Sequence, residues 1–138
     1  MPSQHPGPLL VLIAERDQSV RELEHHYLDK AGFVVEFVGD GEAALERVRQ
    51  TSPALVVTEI LIPKIDGLTL CRRLRDDPAT HDIPVVVLSI LAAAARAGEA
   101  GARAFLRKPL VESIFLATIH DVIAAQPPGM REQQWATR

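Results

Sequence analysis

Ala54-Leu55-Val56-Val57 is a run of four apolar residues that leads into Thr58-Glu59-Ile60-Leu61-Ile62-Pro63-Lys64-Ile65-Asp66-Gly67. A short run with no polar alternation reads as a strand buried on both faces, and such strands belong to parallel sheets covered by helices. Two more runs have the same character, Leu9 to Ala14 and Ile83 to Leu88. Phe33 to Val38 and Arg103 to Leu106 are weaker but long enough to supply two further strands.

Helical patterns lie between these runs. Ser19 and Glu22 have capping-box spacing, and Val20, Leu23, Tyr27 and Ala31 recur at helical intervals before Gly32. A second helix is expected after Asp40-Gly41, with Ala44, Leu45 and Val48 on one face. A third should follow Asp66-Gly67, turn Leu70, Cys71 and Leu74 inward, and end before Pro78. Ala92 to Ala100 reads as a short alanine-rich helix, and the last helix runs from after Pro109 to about Ala124. Strict alternation of strand and helix implies a doubly wound α/β sheet with right-handed crossovers. In such sheets the working site lies beyond the carboxyl ends of the strands. That singles out Glu15-Arg16-Asp17, Glu59, Ser89 and Lys108.

The 138 residues suit one domain. We divide them into a flexible N-terminus over 1–8, a domain over 9–125 and a tail or linker stub over 126–138, which holds Pro127-Pro128-Gly129. A net charge of −3 gives no field that favours nucleic acid or an anionic membrane. The longest apolar run, Val85 to Ala95, is too short to span a bilayer. The first eight residues lack the pattern of a signal peptide. A single cysteine, Cys71, excludes an internal disulfide and suits a reducing compartment. These bounds point to a cytoplasmic soluble domain.

The motifs after the strands are more specific. Glu15-Arg16-Asp17, the Glu59 to Gly67 turn with Pro63 and Asp66-Gly67, Ser89, and Lys108-Pro109 occur in order at successive strand ends. Leu70-Cys71-Arg72-Arg73-Leu74-Arg75 and Ile83-Pro84 fit the same pattern. From Leu9 to about Ala124 the chain resembles the receiver domain of bacterial two-component response regulators. The resemblance implies a flavodoxin-like five-stranded parallel sheet of order 2-1-3-4-5 with five helices, and a place in phosphorelay signal transduction.

In that family an Asp after strand 3 accepts a phosphoryl group. A Mg²⁺ held by two acidic residues, one of them the acceptor, offsets the repulsion between anions. A lysine and a Thr or Ser hydroxyl bind the phosphoryl oxygens. This chain departs from the pattern at two of these positions. Glu59 stands where the acceptor Asp is expected, which moves the carboxylate outward by roughly 1.5 Å. A misplacement near 1 Å can cost on the order of 10²-fold in rate. Arg16 stands where the metal-binding Asp is expected, and a guanidinium cannot ligate Mg²⁺. Glu15 and Glu59 against Arg16 and Lys108 balance in charge without a metal. Arg16 is therefore expected to take the metal's place and pair with Glu59, with Asp17 turned away as a helix cap. No cofactor is expected, and Mg²⁺ binding should be absent or weak.

Ser89 takes the hydroxyl switch position and Lys108 the lysine position, although a strand-end serine can equally bond backbone. The resemblance further implies that the Lys108–Pro109 bond is cis and aims the lysine inward. Phe105 lies where the family's switch aromatic sits, and we read it as a core residue. The Ser89 to Lys108 segment is a few residues shorter than the family's, which puts ordinary output signalling in doubt. On the last helix, Phe115, Ile119 and Val122 form a core stripe, while Val111 and Ile114 add apolar surface beside it. That surface is either a homodimer interface or two scattered surface residues. His25-His26 lacks a third ligand by spacing and reads as solvated helix.

The leading expectation is a non-enzymatic, phosphorylation-independent pseudo-receiver. Its partners would be proteins, such as a sensor kinase or an output protein, with no nucleic acid or membrane bound by this domain. The first alternative is a working receiver phosphorylated by a histidine kinase. The second is a flavodoxin-like cofactor binder, which would want a hydroxyl- and glycine-rich loop where Glu15-Arg16-Asp17 stands.

Overall fold

A computed structural model describes residues 7–125; the tail assigned to 126–138 and most of the N-terminus assigned to 1–8 lie outside the described residues. Among the described residues, five strands alternate with five helices. The order is β1 (Leu10–Ala14), α1 (Gln18–Lys30), β2 (Val34–Val38), α2 (Gly41–Thr51), β3 (Leu55–Thr58), α3 (Gly67–Asp76), β4 (Val85–Ser89), α4 (Ala94–Glu99), β5 (Ala104–Arg107) and α5 (Glu112–Ala124). All pairings are parallel and the sheet order is β2-β1-β3-β4-β5. This is the doubly wound sheet expected from the alternation of apolar runs and helical patterns.

The three purely apolar runs form the central strands, and every residue of β3 and β4 is buried. Two apolar layers flank the sheet. One packs Leu12, Val56 and Val87 against Ala44, Val48, Leu70 and Leu74 from α2 and α3. The other packs Val11, Ile13, Val57 and Leu88 against Leu28 of α1 and Phe115 and Ile119 of α5. Period-2 alternation sends neighbouring strand residues to opposite layers, so each central strand needs apolar residues throughout.

Two expectations for α1 change. Asp17 caps the helix as expected, its carboxylate accepting from the Ser19 and Val20 N–H groups, but Ser19 is then the second helical residue and the Ser19–Glu22 box does not form the start. Its inward stripe is Val20, Glu24, Tyr27 and Leu28, whereas Leu23 is 41% exposed. The helix thus starts two residues before Val20, and the stripe is rotated from the one that apolar residues alone suggest. Smaller shifts affect α4, which covers 94–99 and not 92–100, and β5, which ends at Arg107 and not Leu106.

Asp40 and Asp66 cap α2 and α3, accepting from Ala43 N–H and from Leu68 and Thr69 N–H respectively. The glycine after each cap has a steric reason. A Cβ on Gly67 would lie 2.2 Å from the Glu59 carbonyl oxygen, and one on Gly41 would lie 2.1 Å from that of Ile65. The Asp66-Gly67 pair therefore lets the start of α3 close directly over the backbone of Glu59.

Candidate functional site

The carboxyl ends of β1, β3, β4 and β5 bring Glu15, Glu59, Ser89 and Lys108 into one cluster. Glu15 is 3% exposed, Glu59 5% and Ser89 0%. The Lys108–Pro109 peptide bond is cis. The Lys108 ammonium lies 3.0 Å from Glu15 Oε1 and 2.9 Å from Glu59 Oε2, so one cation serves two carboxylates.

Glu59 is held on both oxygens. Its Oε1 accepts from the Ser89 hydroxyl, from Ile60 N–H at 2.6 Å and from Leu61 N–H at 3.3 Å. Its Oε2 faces Lys108. Burial pushes the Glu59 carboxyl up, but the Ser89 hydroxyl and the Lys108 ammonium outweigh it and hold the group below its ordinary value. Burial likewise pulls Lys108 down, and its contacts with Glu59 and Glu15 more than reverse this. Ser89 is anchored in turn, because its Oγ accepts from Leu91 N–H at 3.2 Å. Glu15 Oε2 accepts from Asp17 N–H at 3.1 Å.

Arg16 does not join the cluster. Its side chain is exposed, and among the described residues the cation paired with Glu59 is Lys108. The expected Arg16–Glu59 pair is therefore corrected. Its neighbours give the reason: Glu15 is fixed inward on Lys108 and Asp17 is fixed as the α1 cap. The residue between them faces solvent, where a guanidinium is well hydrated. The cation from this side of the fold is instead Arg21, one turn into α1. Its Nε donates to the Glu15 backbone carbonyl and its guanidinium lies 5.3 Å from the Phe37 ring centre.

Mg²⁺ asks for oxygen ligands in near-octahedral geometry. Here all four carboxylate oxygens of Glu15 and Glu59 accept from a protein N–H or O–H group, and Arg16 supplies no oxygen. The residues present do not match that donor chemistry. Among the described residues no group of three or more His, Cys, Asp and Glu side chains is placed to hold a metal ion, and His25 and His26 are exposed.

Phe105 is half-buried and packs against the α2–α3 layer. It also lines a groove of about 240 Å³ with Leu106, Pro109, Val111 and Ile114. Val111 and Ile114 are 47% and 55% exposed. No helix among the described residues is long and apolar enough to cross a membrane.

The sequence reading passed over Glu24. It is fully buried on α1, neither carboxyl oxygen has a hydrogen-bond partner among the described residues, and Glu15, Lys108, Arg21 and Glu59 are close enough to act on its charge. Its spacing of four residues from both Val20 and Leu28 is the signal that could have found it.

Comparisons with known proteins agree with this architecture. The chain is 34% identical over 116 residues to the transcriptional regulatory protein CseB of Streptomyces avermitilis, covering 82% of this chain and 48% of that protein. It is 32% identical over 124 residues to the response regulator MprA of Mycolicibacterium vanbaalenii, covering 88% and 53%. The chain thus spans about half the length of the curated relatives it matches. A crystal structure of a putative response regulator from Chloroflexus aurantiacus superposes with a TM-score of 0.81 at 32% identity, covering 85% of this chain and 98% of that one. The family model for the response regulator receiver domain matches residues 11–120, and the chain belongs to that family.

Proposed function

We propose that this receiver domain works as a phosphorylation-independent signalling module, a pseudo-receiver that acts by binding protein and not as an enzyme. One observation carries the reading. The Glu59 carboxylate contacts the Ser89 hydroxyl and the Lys108 ammonium together. These are the two groups that a phosphoryl group is expected to engage in this family. The extra methylene of Glu59 supplies the reach that a phosphoryl group otherwise supplies, so the pocket sits in a constant state. Mg²⁺ binding is absent or weak in this reading, because Arg16 supplies no oxygen ligand and the Lys108 ammonium already occupies one oxygen of each carboxylate.

The partner surface is the groove beside α5, where Phe105 is half-buried and Val111 and Ile114 are exposed. A second copy of the chain or another protein, such as a sensor kinase or output protein, would seat there. The site of action would be the bacterial cytoplasm, which suits the lone buried Cys71. Sedimentation over a range of concentrations, with Ile114→Lys as the control, separates a homodimer from a partner of another kind.

The test of the central reading is incubation with acetyl phosphate and Mg²⁺ followed by intact mass. The expected result is an unmodified protein, and titration calorimetry with Mg²⁺ should show no binding at millimolar concentration. A mass increase of one phosphoryl group overturns the reading. It would favour the second one, a working receiver charged by a histidine kinase, to which the relatives named as response regulators lend support.

A further inference from the structure

We propose that Glu24 is a proton-linked switch beneath the pocket: while its carboxyl is protonated the Glu15–Lys108–Glu59 network stays closed, and loss of that proton opens it. The inference concerns the network itself and stands apart from whether Glu59 accepts a phosphoryl group.

Glu24 lies one turn before Leu28 on the buried side of α1, the side on which Leu28 joins the layer of Val11, Ile13, Phe115 and Ile119, and it is wholly buried, with both carboxyl oxygens unpartnered among the described residues. A carboxylate there would be an unpaired charge in an apolar layer, which proteins avoid by keeping the proton. Burial, and after it the negative charge of Glu15, pushes the Glu24 carboxyl up to about 8. The charged groups that face it come from four places. Glu15 follows β1 and Glu59 follows β3, and both raise it; Lys108 follows β5 and Arg21 lies on α1, and both lower it. From α5 the layer receives apolar Phe115 and Ile119. The titratable groups of α5 lie elsewhere: Glu112 pairs with Lys30, His120 rests on the Phe33 ring, and Asp121 is exposed.

In the closed network one ammonium is shared by two carboxylates. When Glu24 gives its proton to solvent, a third carboxylate competes for the same cation. Lys108 carries its charge on a flexible four-carbon stem and is the mobile member of the set. Its movement toward Glu24 frees Glu59 Oε2, and the pocket becomes more negative by one charge. The domain thereby gains a pH-dependent form without a kinase.

Amide NMR tests this. Ile60 and Leu61 N–H donate to Glu59, and Leu91 N–H donates to Ser89, so all three report on the network. Their shifts are followed over roughly two pH units on either side of the Glu24 value in wild type, Glu24→Gln and Glu24→Leu. We expect a common transition with a midpoint near 8 in wild type and its loss in both variants. The Leu variant fills the site without a polar group, so the comparison survives if the Gln variant folds poorly. A flat wild-type profile, or the same transition in the Leu variant, overturns the proposal.

Discussion

Glu59 and Glu24 are two carboxyl groups with almost the same burial, 5% and 0% exposed, and opposite surroundings. Glu59 is met by a hydroxyl, two backbone N–H groups and an ammonium; Glu24 is met by none of these. The first is held below its ordinary value and the second is raised to about 8. Burial alone therefore does not decide the charge of a carboxyl group. Donors within hydrogen-bond reach decide it, and the sheet ends supply them to one residue while the helix interior denies them to the other.

The largest expected effect comes from removing the cation that separates the two cases. Lys108→Met should leave Glu15 and Glu59 buried without a counter-charge. Breaking a buried pair by deleting one partner costs about 3–5 kcal/mol. Urea denaturation at neutral pH should show a loss of that size, larger at high pH than at pH 5, because Glu59 without the ammonium that helps hold its carboxyl down takes up a proton more readily as pH falls. A loss under about 1 kcal/mol would mean that the ammonium contributes no more than an exposed pair does.

The next effect has the opposite sign. Glu24 is raised from 4.5 to about 8, so the folded state holds a proton that the unfolded chain releases between those values. Its contribution is present below pH 4.5 and is lost as pH rises to about 8. Glu59 is lowered, so its contribution is present above the ordinary carboxylate value and is lost as pH falls. Glu24→Leu should therefore raise stability by on the order of 3 kcal/mol at pH 7, and flatten the decline on the alkaline side without touching the acid limb. Calorimetric melting at several pH values separates the two limbs. A Leu variant that melts at or below the wild-type temperature at pH 8 would contradict the assignment.

Ser89→Ala is smaller. It deletes one donor to an ionised, buried acceptor that keeps three others. Hydrogen bonds to charged groups are worth roughly 1.5–3 kcal/mol, and the remaining donors put the expected loss near the lower figure. The variant should also shift the Glu59 carboxyl upward in a ¹³C titration, since the Ser89 hydroxyl is the leading group holding it down.

The fold was largely legible because its central strands are buried on both faces. Leu9 to Ala14, Ala54 to Val57 and Ile83 to Leu88 are apolar throughout and shorter than an ordinary helix, which points to strands of the parallel class. Four members of the site were legible for the same reason, since Glu15, Glu59, Ser89 and Lys108 each follow a strand whose end is plain. Glu24 was not, because reading a helix by its apolar residues skips a charged one at an inward position. Leu23 looked inward and is exposed, while Glu24 drew no reading and is buried. A glutamate is almost never fully buried without a partner, so the sequence prior runs against the truth at this position.

Arg16 marks the other limit of what the sequence carries, and it supplies the smallest expected effect. Charge balance pointed it at Glu59, but balance says only that a cation is wanted and not which one reaches. Lys108 reaches both carboxylates, and Arg16 is left between an inward glutamate and a capping aspartate with its side chain in water. Arg16→Ala should then change stability by less than about 0.5 kcal/mol, the range for surface positions free of special contacts. It should also leave the Ile60 and Leu61 amide shifts in place. Combining it with Lys108→Met sharpens the point. If Arg16 were a reserve partner for Glu59, the double variant would lose more than the two single variants together, because the guanidinium would have moved in when the ammonium was gone. Additivity within about 0.5 kcal/mol, the margin for sites without shared partners, is the outcome expected of an arginine that stays outside.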